Sequence, residues 1–172
     1  MGRRATTGIK ESSLRRTLVM RAFLILGAVM NKFVFLSQEF YTRHKEQQHT
    51  EIEQKQDRPY IQVCVEVDGI QYAVPMRSNI KHKFVLWTDK QNGCGLDFSK
   101  TVVIESPQDI DNTKKPYIRS NEFAALIGKE YIIETKLRKY IKKYKEAKKN
   151  LSLARNRNLC NFSTLQYFED YI

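Results

Sequence analysis

The stretch Arg77-Ser78-Asn79-Ile80-Lys81-His82-Lys83 gathers a hydroxyl, an imidazole and three cations within seven positions. That set suits phosphodiester chemistry. A cation can stabilise the extra charge of a pentacoordinate phosphorane, a serine hydroxyl can hold a phosphate oxygen, and histidine titrates near neutrality and can move a proton. His82 is the proton-transfer candidate on these chemical grounds. The same residues also read as a solvated basic loop behind an edge strand. No Asp, Glu and His cluster stands at metal-ligand spacing, whereas two-metal nucleases need several converging carboxylates, so the expectation is chemistry without a metal or other cofactor. Ser78 lacks the glycine pattern of a nucleophile elbow.

Two further groups carry charge in a pattern. Between Lys129 and Lys149 nine basic residues face three acidic ones, and Lys136, Lys139 and Lys143 recur on one side of a helical period. This is either the solvated side of an amphipathic helix or a track for a phosphate backbone; mixed signs would suffice for solubility. In GLDFSK, Asp97, Ser99 and Lys100 stand at the mouth of a strand, where a capping or turn role is the simpler reading. Tyr60, beside Arg58 and Pro59, sits where a base could stack. His44 and His49 fall in a polar stretch and read as solvated.

These residues need elements to place them. Phe33 to Leu36 read as a short buried strand and Ser37 as the cap of a helix over roughly Phe40 to Glu46. The following HKEQQHTEIEQKQD has no apolar period and reads as a loop or frayed helix end. In YIQVCVEV, Ile61, Val63, Val65 and Val67 alternate with Tyr60, Gln62, Cys64 and Glu66, and Asp68-Gly69 signals a two-residue hairpin, so Ile70 to Met76 returns antiparallel. Pro75 breaks that ladder, which makes the basic loop the exit of a hairpin. Residues 84–88 and 101–105 supply two more strands, with Gly93 and Gly95 as turn glycines between them. From Ser120, a plausible cap, the period becomes helical, with Ile133, Leu137, Tyr140, Ile141, Tyr144, Ala147 and Leu151 in one stripe. NFSTLQYFEDYI closes the chain as a short capped helix. Strands first and helices later predict an α+β domain around a compact, mostly antiparallel sheet, with a long basic helix towards the C-terminus.

The chain of 172 residues suits one domain, and 41% hydrophobic residues can bury a core. A net charge of +11 favours a polyanionic partner, nucleic acid first and an anionic membrane surface second. Cys64, Cys94 and Cys160 are widely spaced and odd in number, which suggests neither a disulfide framework nor a zinc site and fits a reducing cytoplasm. A Cys–His catalytic pair stays open. Residues 1–29 differ from the rest. Arg21 interrupts their apolar run, which is also far short of the ~20 residues that span a bilayer. They read as an extension from an upstream start or a poorly ordered arm, with Met30 as an alternative start and 30–172 as the single domain; a secretion signal is the weaker reading.

With the strand start MNKFVF, the hairpin RPYIQVCVEVDGIQYAVPMRS, the entry GLDFSK, the basic helix and the ending NFSTLQYFEDYI in this order, the chain from Met30 onward resembles the ToxN/AbiQ family of type III toxin–antitoxin endoribonucleases, which includes CptN/TenpN-like toxins. The resemblance implies a strongly bent antiparallel sheet similar to the Kid/MazF barrel, flanked by helices. It implies metal-independent cleavage, the 2′-hydroxyl attacking the neighbouring phosphorus to leave a 2′,3′-cyclic phosphate and a 5′-hydroxyl. The implied partners are substrate RNA and a repeated RNA antitoxin folded into pseudoknots, assembled with the toxin into closed complexes that act in the cytoplasm against phage by abortive infection. The family's serine falls on Ser78 and its lysine on Lys81 with a one-residue shift, since Ile80 stands at the family's position; Lys83 is the alternative. Arg77 replaces the family's threonine and becomes a phosphate clamp. Arg58 matches a basic residue before the first long strand, Tyr60 the nearby aromatic and Lys100 the lysine entering the later strand. A non-catalytic nucleic-acid-binding protein is the main competing expectation, and a secreted or membrane-surface protein the third.

Overall fold

The structure, a computed structural model, describes residues 33–45, 47–54 and 60–172, within a compact unit that runs from Phe33 to Ile172. The expected extension over 1–29 and the candidate Arg58 lie outside the described residues.

Seven antiparallel strands form the sheet: β1 Phe33–Leu36, β2 Gln62–Val67, β3 Ile70–Arg77, β4 Val85–Asp89, β5 Cys94–Asp97, β6 Val102–Val103 and β7 Ile110–Asp111. The hairpin of β2 and β3 is the centre of it. Asp68 and Gly69 both take positive φ, 54° and 79°, the conformation a tight hairpin turn needs to match strand twist, and this sets the register from Val67 opposite Ile70 to Gln62 opposite Pro75. β3 is not broken at Pro75. Along its other edge, Tyr72 and Ala73 pair with β6, while Met76 and Arg77 pair with β5. Pro75 stands in the gap between those partners, where its missing N–H costs no ladder bond.

The strand order is β4-β5-β3-β2-β1-β7, with β6 beside β3. β4 and β7 do not meet, so the sheet is open and the barrel implied by the resemblance is not formed. Closure needs strands long enough to stagger against neighbours on both sides, and β6 and β7 are two residues each. A strand absent from the sequence reading, β5, begins inside the expected turn. Gly93 does turn, at φ +64°, but Gly95 is a strand residue: a Cβ there would lie 2.5 Å from the Leu86 carbonyl oxygen.

Four helices complete the described residues: α1 Gln38–Arg43, α2 Ser120–Leu126, α3 Glu130–Lys148 and α4 Ala154–Asn161. Ser37 caps α1 as expected, its Oγ accepting the Phe40 N–H at 3.1 Å. Ser120 is inside α2, whose cap position is Arg119, and Gly128 at φ +68° separates α2 from α3. α3 buries Ile133, Leu137, Tyr140, Ile141, Tyr144 and Ala147 against β2 and α4. Full burial of side chains such as Leu137 contributes about 1.5–3 kcal/mol each. Leu151 lies beyond the helix and is exposed. α4 and the 3-10 turns Thr164–Tyr167 and Glu169–Tyr171 follow, so α3 is not the last element and the aromatic ending is not a regular helix. Among the described residues no helix is long and apolar enough to cross a membrane.

The polar stretch after α1 is more than a solvated loop. Ile52 is buried, and His44 is too, stacked on Phe40 with ring centroids 4.4 Å apart and with His49 and Phe168 at its other sides. Aromatic neighbours recruit both histidines into packing, a pattern that no helical or strand period in this stretch announces.

Candidate functional site

The exit of β3 divides the basic loop into an inner and an outer set. Ile80 is buried and its N–H donates to the Gly93 carbonyl at 3.0 Å, so the loop is pinned to the β4–β5 turn; Asn79, at φ +59°, supplies the reversal. Ser78, Lys81 and Lys83 then face solvent. Arg77 and His82 turn inwards.

Asp97 receives them. Its carboxylate has no solvent exposure; Oδ2 accepts from Arg77 Nη1 at 3.0 Å, while Oδ1 accepts from the Ser99 hydroxyl at 2.6 Å and the Ser99 N–H at 2.9 Å. The capping role read from the sequence is therefore present, and it is only part of what Asp97 does. His82 Nδ1 accepts the backbone N–H of Phe84 at 3.3 Å. A backbone amide can only donate, so the proton of the neutral imidazole is on Nε2, which faces Ser99 Oγ at 3.2 Å and Asp97 Oδ1 at 3.3 Å. Both ring nitrogens are thus engaged. Burial pushes the Asp97 carboxyl up, but hydrogen bonds from His82 and Ser99 and the charge of Arg77 outweigh it and hold the group below the usual aspartate range.

On the far side of Arg77 stands a second carboxylate. Glu53 Oε1 accepts from Arg77 Nη2 at 2.9 Å, Glu53 Oε2 accepts the Tyr60 hydroxyl at 2.9 Å, and the guanidinium lies 5.5 Å from the Tyr60 ring centroid. Burial disfavours the charged guanidinium, yet Glu53, Tyr60 and Asp97 more than offset it and raise its pKa. Lys100 is likewise held, by Glu51 and by the Phe162 carbonyl at 3.0 Å. Tyr60, Gln62, Arg77, Lys100, Glu51 and Glu53 share the lining of a cavity of about 20 Å³, roughly the room of one water.

Four of the lysine candidates converge elsewhere, without Lys81 or Lys100. Lys83, Lys136, Lys139 and Lys143 line one groove of about 190 Å³, whose floor is Phe84, Val85, Phe98 and Tyr140. The rings of Phe84 and Tyr140 lie 5.1 Å apart, and Tyr140 donates its hydroxyl to Ser163 at 2.8 Å. The His82 ring is 6.1 Å from Phe84. A continuous path of contacts therefore runs from Glu53 through Arg77, Asp97 and His82 to the floor of the lysine groove.

Sequence reasoning did not find Glu51 or Glu53. Their alternation about Ile52 was the available signal: one buried apolar residue between two carboxylates, in a chain rich in cations. Among the described residues no three His, Cys, Asp or Glu side chains are grouped to hold a metal ion. No protein family, curated protein or solved structure matches the chain.

Proposed function

We propose that this protein binds RNA in the lysine groove and cleaves it without a metal, as the toxin of a type III toxin–antitoxin system. The observation that carries the reading is the groove itself: four lysines around the half-buried ring of Phe84, a pairing of phosphate contacts with a surface for base stacking that single-stranded RNA favours. Its floor connects through His82 and Asp97 to the arginine that precedes Ser78. In this reading Ser78 and Arg77 grip the scissile phosphate, Lys81 or Lys83 stabilises the phosphorane, Tyr60 stacks a base, and α3 is the basic helix of the ToxN/AbiQ pattern. The products carry 2′,3′-cyclic phosphate and 5′-hydroxyl ends. A repeated pseudoknot RNA holds the toxin inactive in a closed toxin–RNA assembly, and the protein works in the cytoplasm in abortive infection by phage.

A second reading, a basic module that binds RNA without cutting it, is favoured by the pairing of Arg77 and Lys100 with carboxylates, since neither cation is unpaired. Incubation with mixed-sequence RNA in excess EDTA separates the two. Cleavage by wild type to cyclic-phosphate ends, lost in Ser78→Ala with RNA affinity retained, supports the enzyme. Tight binding with intact RNA supports the module.

A further inference from the structure

We infer that Glu53 is the general base that takes the proton from the attacking 2′-hydroxyl, an inference that rests on the ribonuclease reading above. Transesterification places two demands on neighbouring atoms. The 2′-oxygen and the phosphorus it attacks belong to one nucleotide, so the group that removes the proton and the cation that meets the developing charge must also be neighbours. Glu53 and Arg77 meet that demand at 2.9 Å.

The other candidates are disposed otherwise. Asp97 has no exposure and cannot touch a substrate. His82 has its Nδ1 on the Phe84 amide and its Nε2 on Asp97 and Ser99. Glu51 is turned to Lys100 and is 19% exposed, against 39% for Glu53. A carboxylate offers about four lone-pair sites, and the contacts with Arg77 and the Tyr60 hydroxyl use two of them. The cavity that Glu53 borders has the marks of a water site. Gln62 is 3% exposed, lines that cavity, and its Oε1 finds no hydrogen-bond partner among the described residues. A buried acceptor without a partner costs about 1–3 kcal/mol, and one water in the cavity that Glu53 also lines can donate to it.

The step balances. The O2′–H proton passes to a Glu53 oxygen as O2′ bonds to phosphorus; the P–O5′ bond breaks, O5′ takes a proton from water, and the Glu53 carboxyl returns its own to the hydroxide so formed. Arg77, donating to Glu53 and within reach of the phosphorane oxygens, lowers the energy of the charge as it builds. Glu53 is faced by Arg77 and Tyr60, and its cavity also by Glu51, Lys100 and Tyr41.

The test is the pH–rate profile of RNA cleavage in EDTA by full-length wild type, Glu53→Gln and Glu51→Gln, with RNA affinity measured alongside. Glu53→Gln is expected to slow cleavage by about 10²–10⁴-fold, to lose the fall in rate towards acid pH, and to bind RNA within a few-fold of wild type. Glu51→Gln keeps the limb. Wild-type cleavage with a Glu53→Gln rate that is unchanged, raised, or lowered with the acid limb intact overturns the inference and leaves the enzyme reading standing; a raised rate would make Glu53 a cover on Arg77. No cleavage by wild type overturns both. If Glu53→Gln loses its folded circular dichroism, Glu53→Asp replaces it: a slower enzyme with the acid limb kept is expected, and a wild-type rate counts against the assignment.

Discussion

Asp97 holds Arg77 through an Nη1–Oδ2 contact of 3.0 Å from a position with no solvent exposure, while its other oxygen serves Ser99 and His82. One buried carboxylate thus fixes the end of β3, the loop that leaves it and the turn after β5. Rigid placement of a loop by a buried polar group is how a flexible connection acquires a defined site geometry.

Asp97→Asn should therefore cost about 3 kcal/mol at pH 7, because removing one partner leaves the other groups buried and underpaired. The folded carboxyl lies below its usual range, so its stabilisation is present above that range and is lost as pH falls through the folded value. Urea denaturation of wild type and variant should show the gap narrowing below about pH 4. A gap that is constant from pH 7 to 3 would contradict this electrostatic account.

The central hairpin and most of the α3 stripe were legible because each rests on local chemistry: positive φ at Asp68-Gly69, and an apolar residue every third or fourth position from Ile133 to Ala147. β5 was hidden. Gly95 reads as a turn residue, and only the closeness of the Leu86 carbonyl in three dimensions reveals why a strand needs it. The loop could be recognised as chemically rich, but its division into inward Arg77 and His82 and outward Ser78, Lys81 and Lys83 depends on Ile80 and on a buried acid twenty positions away. Glu53 and Glu51, which pair with Arg77 and Lys100, come from a segment without period, where sequence carries no directional information.

Gly95→Ala tests the hidden strand. The added methyl would meet the Leu86 oxygen at 2.5 Å and Val85 Cγ2 at 2.8 Å, and backbone cannot yield as a side-chain tip can. The expected cost is about 2 kcal/mol or more, with β4 and β5 exchanging amide hydrogens faster. A melting temperature equal to wild type would contradict the close β4–β5 approach.

His44 predicts a different pH window. Burial holds its imidazole below the usual value, against the opposing pull of the Phe40 carbonyl and of Glu105. The folded state therefore binds the proton less readily than the unfolded one, so stability declines as pH falls below about 6.5. His44→Phe, which keeps a ring against Phe40 at the cost of the Nδ1 contact with the Phe40 carbonyl at 3.1 Å, should lose about 1 kcal/mol at pH 7. It should also lose less stability than wild type between pH 7 and 5. An equal loss in both would place the acid sensitivity elsewhere.

The groove makes the most direct claim about RNA. Lys83, Lys136, Lys139 and Lys143 reach it from two separate segments, while Lys142, exposed on the same helix, does not line it. Each phosphate that a lysine neutralises on a single strand steepens the salt dependence of binding by ~0.7 in log Kobs against log salt. Alanine at any one of the four should flatten the slope by about that amount and weaken binding across sequences alike, whereas Lys142→Ala should leave it unchanged. Removing aromatic area from the floor with Phe84→Ala should weaken binding by about 1–3 kcal/mol per stacked base without changing the slope. Fluorescence anisotropy over a salt series reads both quantities. Equal slopes for Lys139→Ala and Lys142→Ala would mean that the helix acts as a diffuse positive field, and the groove would lose its standing as the RNA track.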